Sequence, residues 1–293
     1  MPFFSIVLIT YNRVDLLPRC IDSVIKQSFS DWELIVVDNH STDGSIELIQ
    51  EYEAKDSRIR MILVHNYNVL SVSRNAGIRA AKGKYVCILD SDDWYSDNKL
   101  ERVHDILKDN TVDFVYHKMR AVSSKGEEGC LSQPINLETP FLDILLNGNR
   151  ICNSSAIIRK NALEDIGFLS EDPTISEDTD CWLRLGKAGY KFFFLDECLG
   201  YYWVGDNMSG SMKHFELTKN VYNKYMPEVP PEYQKQVKNR LNYILALKYY
   251  KIGKRKESIS MFSKLLPVVD LKTKLKIVAY MLKIIFNIKF SYS

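Results

Sequence analysis

The sequence lacks the features that identify several large classes of protein. It has no uninterrupted apolar stretch close to the roughly 18 residues that suggest a membrane-spanning helix. Its first residues lack the charged leader and apolar region of a secretory signal. It has six cysteines, but no C-x-x-C pair and no cysteine spacing typical of a zinc site. We therefore expect a protein of a reducing compartment.

Two further absences narrow the chemistry. The five histidines show no H-x-x-x-H spacing, so the pattern does not predict a histidine metal site. The net charge of +2 neither favours nor excludes nucleic acid as a partner. What the chain does have is an ordinary globular composition, 46% hydrophobic and 26% charged over 293 residues, which predicts a sizeable core.

Apolar runs and helical periodicity alternate through the first half of the chain. Continuous apolar strands with helices between them indicate a mainly parallel α/β sheet, Rossmann-like, with helices on both faces. Residues 114–116 and 192–195 are predicted to extend this sheet. The four predicted strands of the first half are residues 5–9, 34–37, 61–64 and 85–89.

Polar residues follow each of these four strands at the point where the strand ends. In open α/β sheets, ligands bind outside the carboxyl ends of the strands. The sequence therefore predicts one crevice at this edge of the sheet. The polar residues that would face it include Thr10, Asp38, Asn66 and Asp90.

The Asp-Ser-Asp-Asp run at residues 90–93 is the strongest local signal for chemistry. Three carboxylates at a strand end repel one another and lose hydration, so a positive partner is expected. A divalent cation that also holds a diphosphate would supply it. The alternative is a turn that caps the next helix, but the residues suited to that cap, Ser96 and Asp97, lie further along the chain. The pattern therefore favours a cation.

A second acidic run occupies residues 176–180, in front of a helical segment. Acidic residues in a first helical turn stabilise the helix dipole whatever the function, so the run taken alone is interpreted as capping. Beside a donor site, one of these carboxylates could instead accept a proton from an attacking hydroxyl. Arg74, at the start of the helix after the third strand, is interpreted equally well as a bidentate phosphate ligand or as a solvated helix residue.

The last part of the chain is helical. Prolines 227, 230 and 231 predict a linker, which divides the chain into a domain of residues 1–220 and a helical subdomain of residues 221–293. Residues 271–290 predict a basic amphipathic helix that either lies on an anionic membrane surface or packs on the subdomain. The apolar residues assigned to one face of this helix are Ile277, Val278, Met281, Leu282, Ile284, Ile285 and Ile288.

Taken together, these motifs resemble family two of the inverting glycosyltransferases, which have the GT-A fold. The resemblance spans about residues 3–212 and rests on the order and spacing of the motifs, each of which would be weak alone. The matching segments are residues 5–13 with 17–27, 33–45, 73–77, 83–94 and 176–185.

The resemblance implies a role for each matching residue. Asp92 would be the direct ligand of Mn²⁺ or Mg²⁺, and Asp178 would be the general base. Glu177 would be the reserve base and, with Trp182, would shape the acceptor side, to which residues 119–151 are also assigned. The residues implied in binding the nucleotide-sugar are Thr10, Tyr11, Arg13, Asp38, Asp43, Arg74, Asp90 and Ser91. Among them, Asp38 would hydrogen-bond the base, uracil or thymine.

The sequence departs from the family pattern in two places. The usual Asp-Asp-Gly-Ser is Asp-Asn-His-Ser at residues 38–41, so a bulky residue, His40, occupies the turn. The Tyr-Arg-x-His pattern of many relatives is replaced by residues 201–206, which contain neither the arginine nor the histidine. Asp206 or a main-chain group is suggested to substitute for that histidine.

The resemblance implies that a sugar passes from a UDP- or dTDP-sugar to an acceptor hydroxyl by one in-line displacement. The expected acceptor is a glycan or lipid-linked oligosaccharide in surface polysaccharide synthesis, O-antigen or capsule. The expected location is the cytoplasm, peripheral at the inner membrane face, without a nucleic-acid partner. A non-catalytic nucleotide-sugar or glycan binding module is the alternative. A nucleotidyltransferase is disfavoured because no glycine-rich triphosphate loop follows the first strand.

Overall fold

The computed structural model describes residues 1–205 and 211–286. Four parallel strands, ordered β3-β2-β1-β4, form the first half of the sheet. The strands are β1 (Phe4–Thr10), β2 (Trp32–Asp38), β3 (Ile59–Leu63) and β4 (Tyr85–Asp90). The helices between them are α1 (Leu17–Ile25), α2 (Ser45–Lys55) and α3 (Leu70–Ala80). All four strands were predicted from the apolar runs.

Five more strands continue the sheet in the order β4-β8-β6-β9-β5, and β7 pairs with β6. Strand β8 is antiparallel to both β4 and β6, so the sheet is mixed beyond β4. The predicted extension is confirmed, because residues 114–116 and 192–195 lie in the parallel pair β6 and β9. These strands are β5 (Trp94–Tyr95), β6 (Phe114–Ser123), β7 (Gly126–Leu131), β8 (Ile157–Arg159) and β9 (Phe192–Trp203). The helices among them are α4 (Lys99–Leu107), α5 (Pro140–Asn147), α6 (Lys160–Asp165) and α7 (Glu177–Lys187).

Strands β1 and β2 are buried along their whole length, which explains their unbroken apolar sequence. Alternate side chains enter two different cores: Val7 belongs to one and Leu8 to the other. The predicted covering of both faces is therefore confirmed. Helix α3 approaches the sheet so closely that a Cβ atom at Gly77 would lie 3.0 Å from Cγ2 of Val37. The helix cap proposed at Ser96 or Asp97 is wrong, because Asn98 precedes the first residue of α4 and caps it without a side-chain hydrogen bond.

The C-terminal helices are α8 (Met212–Tyr225), α9 (Pro231–Lys251), α10 (Arg255–Leu265) and α11 (Leu271–Ile285). The proposed boundary between residues 220 and 221 falls inside α8, and Val221, Tyr222 and Val237 pack into a core of the sheet domain. The predicted proline linker contains a short 3-10 helix, Met226–Glu228, and Pro231 opens α9 directly. A separate small core joins α9, α10 and α11. The division into residues 1–220 and 221–293 stays a prediction.

The prediction of a single apolar face on helix α11 is wrong. Ile277 and Ile284 are buried in the small core, whereas Val278, Leu282 and Ile285 are exposed. The helix therefore has two apolar sides, one packed and one open, because the packed side is set by contact with α10. The predicted end at residue 290, together with Ile288, lies outside the described residues. Within the described ranges, no helix is long and apolar enough to cross a membrane.

Candidate active site

The carboxyl ends of β1, β2 and β4 meet at one edge of the sheet. Thr10 is aligned with Asp38 across β1 and β2, and Ile9 is aligned with Asp90 across β1 and β4. These strand ends therefore lie side by side at one edge of the sheet, and the ligand crevice expected there stays a prediction. The hydroxyl oxygen of Thr10 is buried and has no hydrogen-bond partner among the described residues. An unpaired buried hydroxyl is costly, so this atom is suited to bind a ligand.

The loops that follow β1 and β2 are locked together by short polar side chains. The buried carboxylate of Asp38 accepts hydrogen bonds from the amide and hydroxyl of Ser41, both at 2.7 Å. The side-chain oxygen of Asn12 accepts a hydrogen bond from the backbone amide of Thr42 at 2.8 Å. The backbone amide of Asn12 donates to the hydroxyl of Ser41. Tyr11 is left exposed beside this lock. These contacts fix the wall of the crevice at the side assigned to the nucleotide.

Asp43 also ties these loops together. Its carboxylate accepts from the amide of Val14 at 3.0 Å and from both the amide and the hydroxyl of Ser45. Burial acts to raise the pKa of Asp43, but these hydrogen bonds hold the pKa below its usual range. The contacts give Asp43 a structural role, and its implied role at the ribose stays a prediction.

His40, the bulky residue of the altered turn, has a left-handed backbone with φ of 57°. Its ring stacks on the ring of His65 with centroids 3.7 Å apart and planes 11° apart. His65 follows β3, so the stack joins the loops after β2 and β3. The departure from the usual glycine is accommodated by this contact, and Asp38 keeps its place at the end of β2.

The acidic loop after β4 separates its three carboxylates. Asp93 is buried and accepts a hydrogen bond from the amide of Trp203 at 3.0 Å. Burial and the charges of Asp92 and Asp90 raise the pKa of Asp93 well above its usual range. Burial, followed by the charge of Asp90, raises the pKa of Asp92 to about 6. The carbonyl of Asp92 accepts from Arg19 at 2.9 Å, which holds the loop against α1.

Arg74 connects the acidic loop to α7. Its guanidinium donates from Nη2 to Asp90 at 2.7 Å and from Nη1 to Glu177 at 2.5 Å. The residue is 3% exposed, so its interpretation as a solvated helix residue is wrong. Burial alone would lower the pKa of Arg74, but the two carboxylates raise it, and the guanidinium stays charged. A role toward phosphate stays a prediction, and the bridge itself was not foreseen from the sequence.

The acidic run at the start of α7 also separates into different roles. Glu177 is held by Arg74, and burial raises the pKa of Glu177 although Arg74 opposes the shift. Asp178 accepts through Oδ1 from the hydroxyl of Ser176 at 2.7 Å and the amide of Thr179 at 2.5 Å. Its other oxygen, Oδ2, has a long contact of 3.4 Å from the amide of Asn149. Oδ2 is thus the less constrained oxygen of the two.

Asp180 anchors α7 to α8. It is fully buried and accepts hydrogen bonds from Lys224 at 2.7 Å, Tyr225 at 2.8 Å and Arg184 at 2.7 Å. Burial acts to raise the pKa of Asp180, but the bonds from Lys224 and Arg184 hold the pKa below its usual range. This carboxylate is structural.

Trp182 does not shape the acceptor side, so this prediction is wrong. The side chain is fully buried, and its ring packs 4.7 Å from the ring of Phe114 in the core under β6. It therefore packs α7 onto the core and is not available to a ligand at the surface. The sequence could not distinguish the two positions, because Trp182 lies only one helical turn after Asp178.

The segment that contains residues 149–154 supplies side chains that were given no individual role from the sequence. Asn149 donates to Asp178 and, at 3.1 Å, to the hydroxyl of Thr179. The hydroxyl of Ser154 accepts from the amide of Asp90 at 3.1 Å. The amide of Asn153 lies between Asp90 and Arg74, and with its oxygen toward Arg74 it accepts from Nη2 at 2.9 Å. A cluster of asparagine and serine before a short strand was the available signal.

His214, one of the five histidines without metal-site spacing, lies near the site. It belongs to the first turn of α8, where its backbone amide donates to Ser211 at 3.2 Å. Burial lowers the pKa of His214, and the nearby charge of Asp178 opposes that shift. Asp206, suggested as the substitute for the family histidine, lies outside the described residues.

Comparisons with known proteins identify the family to which the chain belongs. A profile of glycosyl transferase family 2 matches residues 5–167, more than half of the chain. TuaG of Bacillus subtilis (strain 168), which carries the name of a teichuronic acid biosynthesis glycosyltransferase, is 31% identical over 216 residues, 72% of this chain and 83% of TuaG. Several other curated relatives are longer, and their alignments cover 21% to 37% of their length. The chain belongs to glycosyl transferase family 2.

Solved structures share the fold. S. aureus TarS 1-349 in complex with UDP-GlcNAc superposes with a TM-score of 0.64 at 19% identity, covering 91% of this chain and 81% of that one. The mannosyltransferase PcManGT from Pyrobaculum calidifontis, in complex with GDP-Man and Mn²⁺, has a TM-score of 0.66 at 16% identity, covering 96% and 80%. The predicted GT-A fold with additional C-terminal helices is confirmed.

Proposed function

We propose that this glycosyltransferase moves a sugar from a UDP- or dTDP-sugar to an acceptor hydroxyl with inversion, in a reaction that needs a divalent cation. The observation that carries the proposal is the Arg74 bridge. One guanidinium holds the first carboxylate of the acidic loop and the residue before Asp178. Loop and helix start are therefore next to each other, as a donor site beside a general base requires.

The residues of the acidic loop fit a divalent cation. Asp90, Asp92 and Asp93 repel one another. The described residues contain no cluster of three or more side chains that could hold a metal without other ligands, so the diphosphate would have to complete the coordination. Mn²⁺ or Mg²⁺ bound by one or two carboxylates and by diphosphate oxygens would satisfy this arrangement. Asp92 would hold the ion with Asp90 beside it, and the ion would neutralise charge on the diphosphate. PcManGT, of the same fold, was solved with Mn²⁺.

The contacts of α7 favour Asp178 over Glu177 as the base. Glu177 accepts a hydrogen bond from the buried guanidinium of Arg74. Protonation of Glu177 would leave this guanidinium without one of its counter-charges, which is costly in a buried place. Asp178 has one oxygen, Oδ1, fixed by Ser176 and Thr179. Its other oxygen, Oδ2, would accept the proton of the acceptor hydroxyl as that hydroxyl attacks the anomeric carbon. One displacement inverts the configuration.

The proposed acceptor is a glycan, lipid-linked, in the synthesis of a bacterial surface polysaccharide such as O-antigen or capsule. The name of TuaG supports a cell-surface polymer, and the TarS complex supports a UDP-sugar donor. With a lipid-linked acceptor, the enzyme would work in the cytoplasm at the inner face of the membrane. A binding module without turnover is the competing function, and the same experiment separates the two.

The test is hydrolysis of a panel of UDP- and dTDP-sugars with Mn²⁺, followed by transfer to membrane extracts that contain lipid-linked glycans. We expect slow hydrolysis of one donor, with a loss of at least about 100-fold in both Asp92→Asn and Asp178→Asn. Asp109→Asn, the same change at an exposed position outside the site, is the control and should keep full activity. Donor binding without turnover, with or without extract, would support a module that binds nucleotide-sugar. No binding of any donor would refute both that module and the proposed transferase.

A further inference from the structure

Helix α11 has an apolar side that its own packing does not use. Its packed side contributes Ile277 and Ile284 to the small core with α9 and α10, where the ring of Tyr280 stacks 5.9 Å from that of Phe262. On the other side lies a row of five residues that we call the open stripe. The open stripe consists of Leu271, Leu275, Val278, Leu282 and Ile285.

The open stripe has the spacing of a continuous helical face. Its members follow one another at intervals of four, three, four and three residues, and their exposed fractions run from 43% to 72%. Phe286, 68% exposed, extends the stripe by one residue. Scattered exposed apolar residues need no explanation, but a contiguous row along a whole helix marks an interaction surface.

The charges beside the open stripe identify its partner. Since a helix turns about 100° per residue, Lys272 and Lys276 project about 100° and 140° from Leu271, and Lys274 about 60° on the other side. The polar margins are thus basic on both sides, and no acidic residue follows Asp270 in the sequence. The carboxylate of Asp270 caps the helix through the amide of Thr273 at 3.0 Å.

This pattern fits lipid better than a second copy of the chain. A paired helix of the coiled-coil type carries charges of both signs beside its apolar seam, whereas two copies of α11 would bring lysines together. At 15 residues the helix is about 22 Å long, too short to cross a hydrocarbon core of about 30 Å. A helix with one apolar side and basic margins lies in the plane of an anionic interface.

We propose that the open stripe of α11 inserts into the surface of a bilayer that contains anionic phospholipid, with Lys272 and Lys274 at the level of the phosphates. The packed side then stays on α10, and the sheet domain is held at the membrane. The proposal draws on the proposed function only for its purpose, which is to keep the active site near a lipid-linked acceptor. Membrane binding itself needs neither donor nor metal.

The test is co-sedimentation of the full chain with phosphatidylcholine vesicles that contain either no or 30 mol% phosphatidylglycerol (about a third of the lipid, to give a clear surface charge). We expect binding only to the anionic vesicles, with weaker binding as salt rises. Leu275→Glu with Leu282→Glu should weaken binding at least about tenfold. The control, Tyr233→Glu with Ile252→Glu, adds the same charge at exposed apolar positions of α9 and its C-terminal end and should bind as the wild type.

The alternatives give different results. Equal binding to neutral vesicles, or equal loss in the control pair, would overturn the proposal. A wild-type dimer in sedimentation that Leu275→Glu with Leu282→Glu makes monomeric, without vesicle binding, would assign the open stripe to a second copy and also overturn it. Donor hydrolysis in the absence of vesicles should be unchanged in both pairs. Failure of membrane binding is thus separate from failure of the proposed function.

Discussion

The two acidic runs of this protein, residues 90–93 and residues 176–180, distribute their carboxylates in the same way. In each run, the first carboxylate is bound by Arg74: Asp90 in the loop and Glu177 in the helix. A second carboxylate, Asp92 or Asp178, is half-buried and has no cationic hydrogen-bond partner among those described above. The remaining one, Asp93 or Asp180, is buried. The role of a carboxylate in these runs therefore depends more on the side chains that contact it than on its position along the chain.

The buried carboxylates differ in how their charge is compensated. Asp180 has two cationic partners, Lys224 and Arg184, and its pKa is lowered. Asp93 accepts hydrogen bonds from the amide of Trp203 and the hydroxyl of Ser154 and has two acidic neighbours, and its pKa is raised. The helix start thus contains a carboxylate whose charge is stabilised, and the loop contains one whose charge is disfavoured by burial and by its acidic neighbours. Repulsion concentrated in the loop is the condition that a bound cation relieves.

The largest change in stability should come from replacing Arg74, which forms an ion pair with each of the two runs. Arg74→Gln leaves Asp90 and Glu177 without their cation in a mostly buried place, so we expect the free energy of unfolding to fall by about 3–5 kcal/mol. Urea denaturation measures it. Arg79→Gln, on the same helix but half exposed, is the control and should change stability by less than about 0.5 kcal/mol.

A second variant sharpens the same prediction. Adding Glu177→Gln to Arg74→Gln removes one of the two unpaired charges, so part of the lost stability should return. If Arg74→Gln is no less stable than Arg79→Gln, the two runs are not joined through this guanidinium.

The sequence was sufficient to predict the sheet and the polar residues at the ends of its strands. Strands β1, β2 and β4 are buried on both faces, so their sequences are unbroken apolar runs that end in polar residues. Thr10, Asp38 and Asp90 follow from that pattern alone. The family resemblance then supplied chemical roles for positions that the pattern only located.

The sequence was not sufficient where a role depends on packing between distant segments. Arg74 meets Glu177 across 103 residues of chain, and Asn149 meets Asp178 only because the segment before β8 crosses the site. Trp182 shows the same limit, since its place on a helix does not reveal which side the sheet covers. On α11, the choice between Ile277 and Val278 as the packed residue was decided by α10.

A smaller effect is expected from the compensated carboxylate. Asp180→Asn keeps the shape but leaves Lys224 and Arg184 without a counter-charge; since Lys224 is half exposed, water offsets part of the loss, and we expect about 2 kcal/mol. Because the pKa of Asp180 is lowered on folding, its stabilisation is present above the unfolded pKa and is lost as pH falls through the folded pKa. Urea midpoints should therefore converge in acid for wild type and Asp180→Asn. A constant difference down to about pH 2 would contradict this linkage.

The smallest effect should come from the uncompensated carboxylate. Asp93→Asn keeps an oxygen for the amide of Trp203 and removes a charge that Asp90 and Asp92 oppose, so stability without metal should change by no more than about 1 kcal/mol and can increase. Urea denaturation beside Asp180→Asn makes the comparison direct, because both variants replace one buried carboxylate with an amide of the same shape. A loss at Asp93 as large as that at Asp180 would mean that the buried charge of the loop is compensated after all. The cation would then not be needed to explain why three carboxylates stand together there.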